Sequence, residues 1–182
     1  MKDDSLIKLA LSCGAKHATL LKQQDIVLNA IFRDICRSNG CGNYGRCYMC
    51  PPDAGEINIL MDRVREYPCA MMYQTIYEIE DSYDIEGMLE AGKLHSQCSQ
   101  KLEHRLRTMH AQGYLHLSAG GCRLCDRCTK GDGQPCRFPK DAMPSLEAYG
   151  VDVYNTAAHA GLKYINGQNT VTYFGMVLLS EE

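Results

Sequence analysis

Two cysteine-rich stretches are the residues of this sequence best suited to chemistry, among eleven cysteines in 182 residues. The second stretch has the spacing C-x2-C-x2-C-x7-C, and its members are Cys122, Cys125, Cys128 and Cys136. Three thiolates at two-residue intervals wrap a turn of chain around one face of an iron-sulfur cube, and a more distant cysteine can close the fourth iron. Zinc usually takes its cysteines as two separated pairs, so this spacing favours a four-iron four-sulfur cluster over zinc.

The first stretch has the less specific spacing C-x4-C-x5-C-x2-C, and its members are Cys36, Cys41, Cys47 and Cys50. Two prolines follow it, and a cysteine before proline also occurs among ferredoxin ligands. Because the spacing suits paired cysteines around zinc as well, a second four-iron four-sulfur cluster is favoured while zinc stays open. If the thiolate of Cys47 is not a ligand, one iron keeps an open position and can act as a Lewis acid on a substrate.

The other cysteines and the histidines predict no further metal site. Three cysteines fall on apolar faces of predicted elements, where a free cysteine behaves as a small buried hydrophobe: Cys13, Cys69 and Cys98. Three histidines are expected near the polar side of a predicted long helix: His95, His104 and His110. The sequence has no nucleotide-binding glycine loop and no serine-hydrolase motif. The functional prediction therefore depends on the two cysteine groups.

The composition is that of a soluble globular protein, with 45% hydrophobic and 23% charged residues. A net charge of -3 and the lack of a basic run argue against nucleic acid or an anionic membrane as partners. The first residues lack the apolar centre of a signal peptide, and the late apolar run from Val171 to Leu179 is far shorter than the ~20 residues of a membrane span. We therefore expect a cytoplasmic protein, in which reduced thiols favour metal ligation over disulfides.

The elements that must position the cysteines predict one α+β domain over residues 1–182. We expect a small mixed sheet with packed helices, and two metal-binding loops at residues 36–50 and 122–136. Asp4 or Ser5 can cap a first helix, which Gly14 ends. From His17 to Ile35 the pattern leaves helix and strand open. The segment from Cys36 to Asp53 is rich in cysteine, glycine and proline, which predicts an irregular loop.

The second half of the chain predicts a strand, a long helix and two further strands. A helix beginning at Pro52 and Asp53 comes first, and it is followed by a strand from Met71 to Ile79. The long helix is expected to place one row of side chains on the core: Leu94, Cys98, Leu102, Leu106 and Met109. Short strands are predicted from Tyr114 to Ser118 and from Thr170 to Leu179. The long helix and the strands before and after it form a right-handed crossover if those two strands are parallel.

Two stretches of the sequence resemble an uncharacterised family of predicted metal-binding, cysteine-rich iron-sulfur proteins found mostly in anaerobic bacteria and archaea. They cover Cys36 to Gly45 with Cys50-Pro51-Pro52, and Gly121 to Cys128 with Cys136 to Pro139 and Pro144 to Val153. The resemblance runs over most of the chain and implies metal binding without naming a reaction. It also implies that Cys36, Cys41 and Cys50 form the first ligand group, to which Cys47 is an addition.

Three functions fit these patterns. The first is electron transfer or redox support of a partner enzyme through two four-iron four-sulfur clusters, which needs only the eight grouped cysteines and a redox partner protein. The second is an enzyme that binds a small-molecule substrate at an open iron of the Cys36–Cys50 cluster. The third is a zinc-stabilised interaction module, in which metal binding supplies folding free energy to a loop-rich region. We expect the first.

Overall fold

The computed structural model describes residues 3–109, 111 and 113–180. Within these residues the chain forms five α-helices: α1 (Asp3–Ser12), α2 (Ile31–Arg37), α3 (Ile57–Arg65), α4 (Ile85–Thr108) and α5 (Val153–His159). Four strands complete the secondary structure: β1 (His17–Lys22), β2 (Cys69–Glu78), β3 (Tyr114–Leu117) and β4 (Thr170–Leu179). The predicted α+β class is confirmed. The prediction for His110 lies outside the described residues.

The four strands form one sheet in the order β1-β2-β4-β3, and every neighbouring pair is antiparallel. The prediction of a mixed sheet is therefore wrong. The sheet has no parallel pair because β4 lies between β2 and β3 and pairs with both. These two strands run in the same direction without being neighbours, and α4 connects them across β4.

Both faces of the sheet are covered, because successive side chains of a strand point to opposite faces. Met72 of β2 belongs to a core with α3 and α5, whereas its neighbours Met71 and Tyr73 belong to a second core. The second core packs the sheet against α1 and α4, whose contributions include Leu6 and Leu102. The result is a three-layer arrangement in which the central strands β2 and β4 are the most deeply buried.

Helix α4 buries a slightly different face from the one that the sequence predicts. Asp84 caps its first turn by accepting a hydrogen bond from the Gly87 amide at 2.8 Å. Cys98 and its helical neighbours Leu102 and Leu106 are buried as expected, but Leu94 and Met109 are 39% and 49% exposed. His95 was predicted near the polar side and is instead fully buried. The face that meets the sheet is therefore rotated slightly from the predicted row.

The remaining local predictions are mostly confirmed, with two shifts. Helix α1 ends before Gly14, which has a φ of 114°, and β1 and α2 resolve the ambiguous segment into a strand followed by a helix. Helix α3 begins at Ile57, later than the predicted start, since a turn closed by the Gly55 amide on the Pro52 carbonyl precedes it. Cys13 is buried as predicted, whereas Cys69 is only half-buried. Of the helices in the described part of the chain, none has the length and apolar character that crossing a bilayer requires.

Candidate functional site

The first cysteine group lies between α2 and α3. Cys36 lies in the last turn of α2, so the predicted irregular loop begins later than expected. The chain then turns back on itself, with the Gly45 amide donating to the Pro51 carbonyl at 2.9 Å and the Cys50 amide donating to the Cys47 carbonyl at 3.0 Å. These turns bury Cys47 and Cys50, at 3% and 9% exposure, and leave Cys41 exposed.

The second cysteine group lies on a long loop that leaves the sheet after β3. Ser118 closes the neck of this loop: its amide donates to the Pro144 carbonyl at 2.9 Å, and its carbonyl accepts from the Leu146 amide at 3.0 Å. Within the loop, the Thr129 hydroxyl donates to the Pro135 carbonyl at 2.9 Å. The four cysteines of the group line one small cavity: Cys122, Cys125, Cys128 and Cys136. The structure thus brings together the four side chains that their spacing grouped.

The two cysteine loops pack against each other. The Tyr48 hydroxyl of the first loop donates to the Gln134 carbonyl of the second at 2.9 Å. Lys130 of the second loop forms an ion pair with Asp53, and its ammonium lies 5.1 Å from the centre of the Tyr48 ring. A groove of about 760 Å³ runs between the loops, and side chains of both line it. The two groups, far apart in sequence, are neighbours in space.

Cys47 lies at the junction of the two groups. Its thiol is hydrogen-bonded to the side chains of Cys50 and Cys128 and to the backbone amides of Met49 and Cys122. The hydrogen bond with Cys50 is the strongest influence, and together these bonds lower the pKa of Cys47 although burial opposes them. The pKa of Cys50 is raised, because its proton is shared with Cys47 and because it is buried. The two sulfurs therefore share one proton, and Cys47 is the more acidic of the pair.

A second cavity, of about 220 Å³, adjoins the rest of the first group. Its walls include Cys36, Cys41 and Cys50, whereas Cys47 lines the groove between the loops. Burial raises the pKa of Cys36, so this thiol is protonated in the absence of a bound cation. The cavity opens towards the glycines that precede Cys122, Gly120 and Gly121, which also line it.

Two residues of this cavity were not predicted as site residues. Glu147 lines it from the start of a short 3₁₀ helix at residues 147–149, and Ser145 lines it from just before that helix. Burial raises the pKa of the Glu147 carboxyl. Ser145 also caps this short helix, since its hydroxyl accepts from the Ala148 amide at 3.1 Å. A cap pattern carries no information about what the same helix faces, so the place of Glu147 beside Cys36 had no signal in the sequence. Asp152 caps α5, where it accepts from the Asn155 amide at 3.0 Å.

The donors of both groups are thiols throughout. Among residues 3–109, 111 and 113–180, no three His, Cys, Asp or Glu side chains stand close enough together to hold one metal ion. The grouped cysteines line cavities instead. Thiolates are soft ligands, which suit copper(I), zinc and iron-sulfur clusters.

No curated protein and no solved structure matches this chain. A family of predicted metal-binding proteins does match it, over residues 19–179. The matched range contains both cysteine groups, the whole sheet from Thr19 onwards and the groove between the loops. The chain therefore belongs to the predicted metal-binding protein family DUF2284.

Proposed function

We propose that this protein binds two four-iron four-sulfur clusters and serves electron transfer or the redox support of a partner enzyme. The observation that carries the proposal is the pair of thiol-lined cavities, one at each cysteine group. The ligands of the first are Cys36, Cys41 and Cys50, whereas Cys47, the fourth cysteine predicted for this group, lines the groove between the loops. The ligands of the second are Cys122, Cys125, Cys128 and Cys136.

The residues around the cavities fit such clusters. Each thiolate of a cubic cluster binds a different iron, so the cysteines must surround a space, as they do here, rather than converge on one point. A zinc site needs four ligands at about 2.3 Å from a single ion. When bound, a cluster of this kind supplies one-electron oxidation and reduction.

The chain's own charges favour a thiolate-rich site. Arg46, Arg127 and Lys130 line the groove between the two loops. A nearby positive charge stabilises the charged form of a thiol, so these side chains reduce the repulsion among the thiolates. The groove also places both cysteine groups side by side, which is what the passage of an electron from one to the other requires.

Metal and sulfide analysis of protein purified without oxygen tests this proposal. We expect iron and acid-labile sulfide in equal amounts, a brown colour and, after reduction, an electron paramagnetic resonance signal. Cys125→Ser should remove about half of the iron, and Cys69→Ser, which changes a cysteine outside both groups, should remove none. Colourless protein that contains zinc and lacks sulfide would refute the redox function and leave the zinc-stabilised interaction module.

A second candidate function is binding of a small-molecule substrate at an open iron of the first site. It is favoured by the position of Cys47, which lines the groove between the loops. Three thiols of the first group therefore remain at the cavity of about 220 Å³. Tyr44, Ser145 and Glu147 supply polar groups on the walls of that cavity. The test is to add cyanide labelled with carbon-13 to the reduced protein. Broadening of the electron paramagnetic resonance signal of the first site would support an open iron, and an unchanged signal would count against it.

A further inference from the structure

A chain of five buried polar side chains crosses the core between the sheet and α4. The Glu103 carboxylate lies 2.9 Å from Nδ1 of His116, whose Nε2 lies 2.8 Å from the Tyr73 hydroxyl. Tyr73 donates to the Ser99 hydroxyl at 2.7 Å, and Ser99 lies 2.9 Å from the hydroxyl of Ser118. None of the five is more than 7% exposed. Burying this many polar groups is unfavourable unless each is hydrogen-bonded, and here each is.

The inner end of this chain reaches the second cysteine loop. Ser118 lines a cavity of about 10 Å³ together with Ser96, Gln100 and Cys122. This volume is close to the minimum that a single water molecule occupies, and the polar side chains supply the partners that such a water needs. Ser96 and Gln100 also line a larger surface groove of about 460 Å³, so the cavity adjoins a route to solvent.

The chain remains fully hydrogen-bonded in two protonation states. When His116 is neutral, Nδ1 donates to Glu103 and Nε2 accepts the Tyr73 proton. When His116 is an imidazolium, both nitrogens donate, and Tyr73 donates to Ser99 instead, which is the direction that the geometry gives. The Ser99 hydroxyl also donates to the His95 carbonyl at 3.1 Å, so it must rotate away from that carbonyl when it donates to Tyr73. The carbonyl lies inside α4, where a backbone amide still donates to it.

We propose that His116 stores a proton, which it exchanges with the cavity beside Cys122 when the redox state of the second cysteine group changes. This inference rests on the proposed redox function and adds a proton to it. The electron comes from the redox partner protein, and the proton comes from solvent through the cavity.

Each step moves one proton along one hydrogen bond. A hydronium ion that enters the cavity from solvent gives its proton to Ser118 and is left as water, and the Ser118 proton passes to Ser99. The Ser99 proton then passes to Tyr73, and the Tyr73 proton passes to Nε2 of His116. Glu103 is a positioning residue, which balances the imidazolium charge through Nδ1. Oxidation reverses every step, and no bond between heavy atoms forms or breaks.

The groups around His116 suit this role. Glu103 is buried, which alone would raise its pKa, but hydrogen bonds from His116 and Tyr114 and the charge of Arg107 hold that pKa below its usual value. The carboxylate therefore stays charged and can pair with an imidazolium. Burial raises the pKa of Tyr73, which keeps it a neutral phenol that can relay a proton.

Other titratable groups face the same region without competing for the proton. Burial lowers the pKa of His95 to about 3, with smaller effects from His116 and Arg123, so His95 stays neutral. The thiols of Cys13 and Cys98 lie near Tyr73 in the second core. Burial raises the pKa of Cys98, so this thiol also stays uncharged at neutral pH.

The experiment is a redox titration of anaerobically purified protein between about pH 5 and 8, the range in which imidazoles change charge. The centre at the second cysteine group is identified by its loss in Cys125→Ser. We expect its reduction potential to fall as the pH rises, with a slope of at most about 59 mV per pH unit, the value for one proton and one electron. His116→Gln keeps hydrogen-bonding groups but cannot hold the charge, and should make the potential independent of pH. His104→Gln, on the exposed side of α4, should keep the slope.

A second measurement needs no variant. Redox-difference infrared spectra of wild-type protein with isotope-labelled histidine should show an imidazolium band that appears on reduction. If the centre forms but its potential is independent of pH and no such band appears, proton storage is refuted and the iron-sulfur proposal stands. If the protein is colourless and lacks iron and sulfide, both proposals fail, since there is then no electron for the proton to accompany.

Discussion

The thiol of Cys47 is hydrogen-bonded to Cys128, a residue of the other cysteine loop, as well as to Cys50 of its own loop. It is the side chain through which the two cysteine groups touch. Both partners are proposed ligands, and a metal-bound thiolate carries no proton, so a thiolate at Cys47 acts on either site through its charge without binding iron. Its position suits a residue that adjusts the two centres rather than one that holds either of them.

Cys47→Ser should therefore leave the iron and sulfide content of the protein unchanged. Serine keeps a hydroxyl of similar size at the junction, and three thiols remain around the first cavity. The matched variant is Cys50→Ser, in the same loop and also buried, which should lose about half of the iron. Metal and sulfide analysis of the two variants decides the matter, since equal loss from both would make Cys47 a ligand.

Acid should destabilise the fold through His95. The pKa of this residue is lowered to about 3 in the folded protein, against about 6.5 in an unfolded chain. Below pH 6.5 the unfolded chain binds a proton that the folded chain does not, so stability is complete above pH 6.5 and falls progressively towards pH 3. At pH 5 the loss is about 2 kcal/mol relative to pH 7.

The free energy of unfolding in urea at pH 7 and pH 5 measures this effect. His95→Gln should reduce the difference between the two pH values by that amount, whereas His104→Gln should behave as wild type. An equal pH dependence in His95→Gln and wild type would assign the acid sensitivity to other groups.

A methyl group at Gly175 should be poorly tolerated. Gly175 of β4 is the partner of Tyr73 across the central strand pair, and an added Cβ would overlap the tyrosine ring. Gly175→Ala should therefore destabilise the fold by about 2 to 3 kcal/mol, as expected for overpacking in a core. Gly40→Ala, where no atom lies within 4 Å of the added group, should change the free energy of unfolding by less than about 0.5 kcal/mol. Similar midpoints for the two variants in urea would contradict this packing.

The contact between the loops should depend on Tyr48. Tyr48→Phe removes the hydrogen bond to Gln134 and keeps the ring beside Lys130, so we expect a loss of about 1 kcal/mol. Tyr48→Leu should lose more, because the cation–π contact is removed as well. Tyr83→Phe is the control, since that side chain is 88% exposed. Thermal unfolding of the metal-loaded protein compares the three, and a stable Tyr48→Leu would show that the loops are held elsewhere.

The sequence predicts local structure well where one pattern dominates. The strand from Thr170 to Leu179 has its predicted bounds, and the spacing of Cys122, Cys125 and Cys128 groups side chains that do share a cavity. Membership of a predicted metal-binding family, expected from the two cysteine stretches, is confirmed by the match over residues 19–179. These features depend on neighbours along the chain, which a sequence displays directly.

The sequence does not predict features that depend on packing between distant segments. The insertion of β4 between β2 and β3 makes the sheet antiparallel, and no local pattern encodes strand order. His95 counts as polar in any helical pattern, yet it is buried with Nδ1 bonded to Thr75 at 2.9 Å and its ring stacked on Tyr73. The contact of Cys47 with Cys128 likewise exists only because two loops fold against each other.

The central place of β4 has a consequence for how the protein is made. It is the last of the four strands to leave the ribosome, and until it emerges β2 and β3 have no partner between them. Both cysteine loops are synthesised earlier, so until β4 emerges their thiols are not held apart by the complete sheet. We therefore expect the iron and sulfide of the proposed clusters to be delivered after translation of this segment, since the nascent chain is the form most exposed to oxidation and to mismatched strand edges.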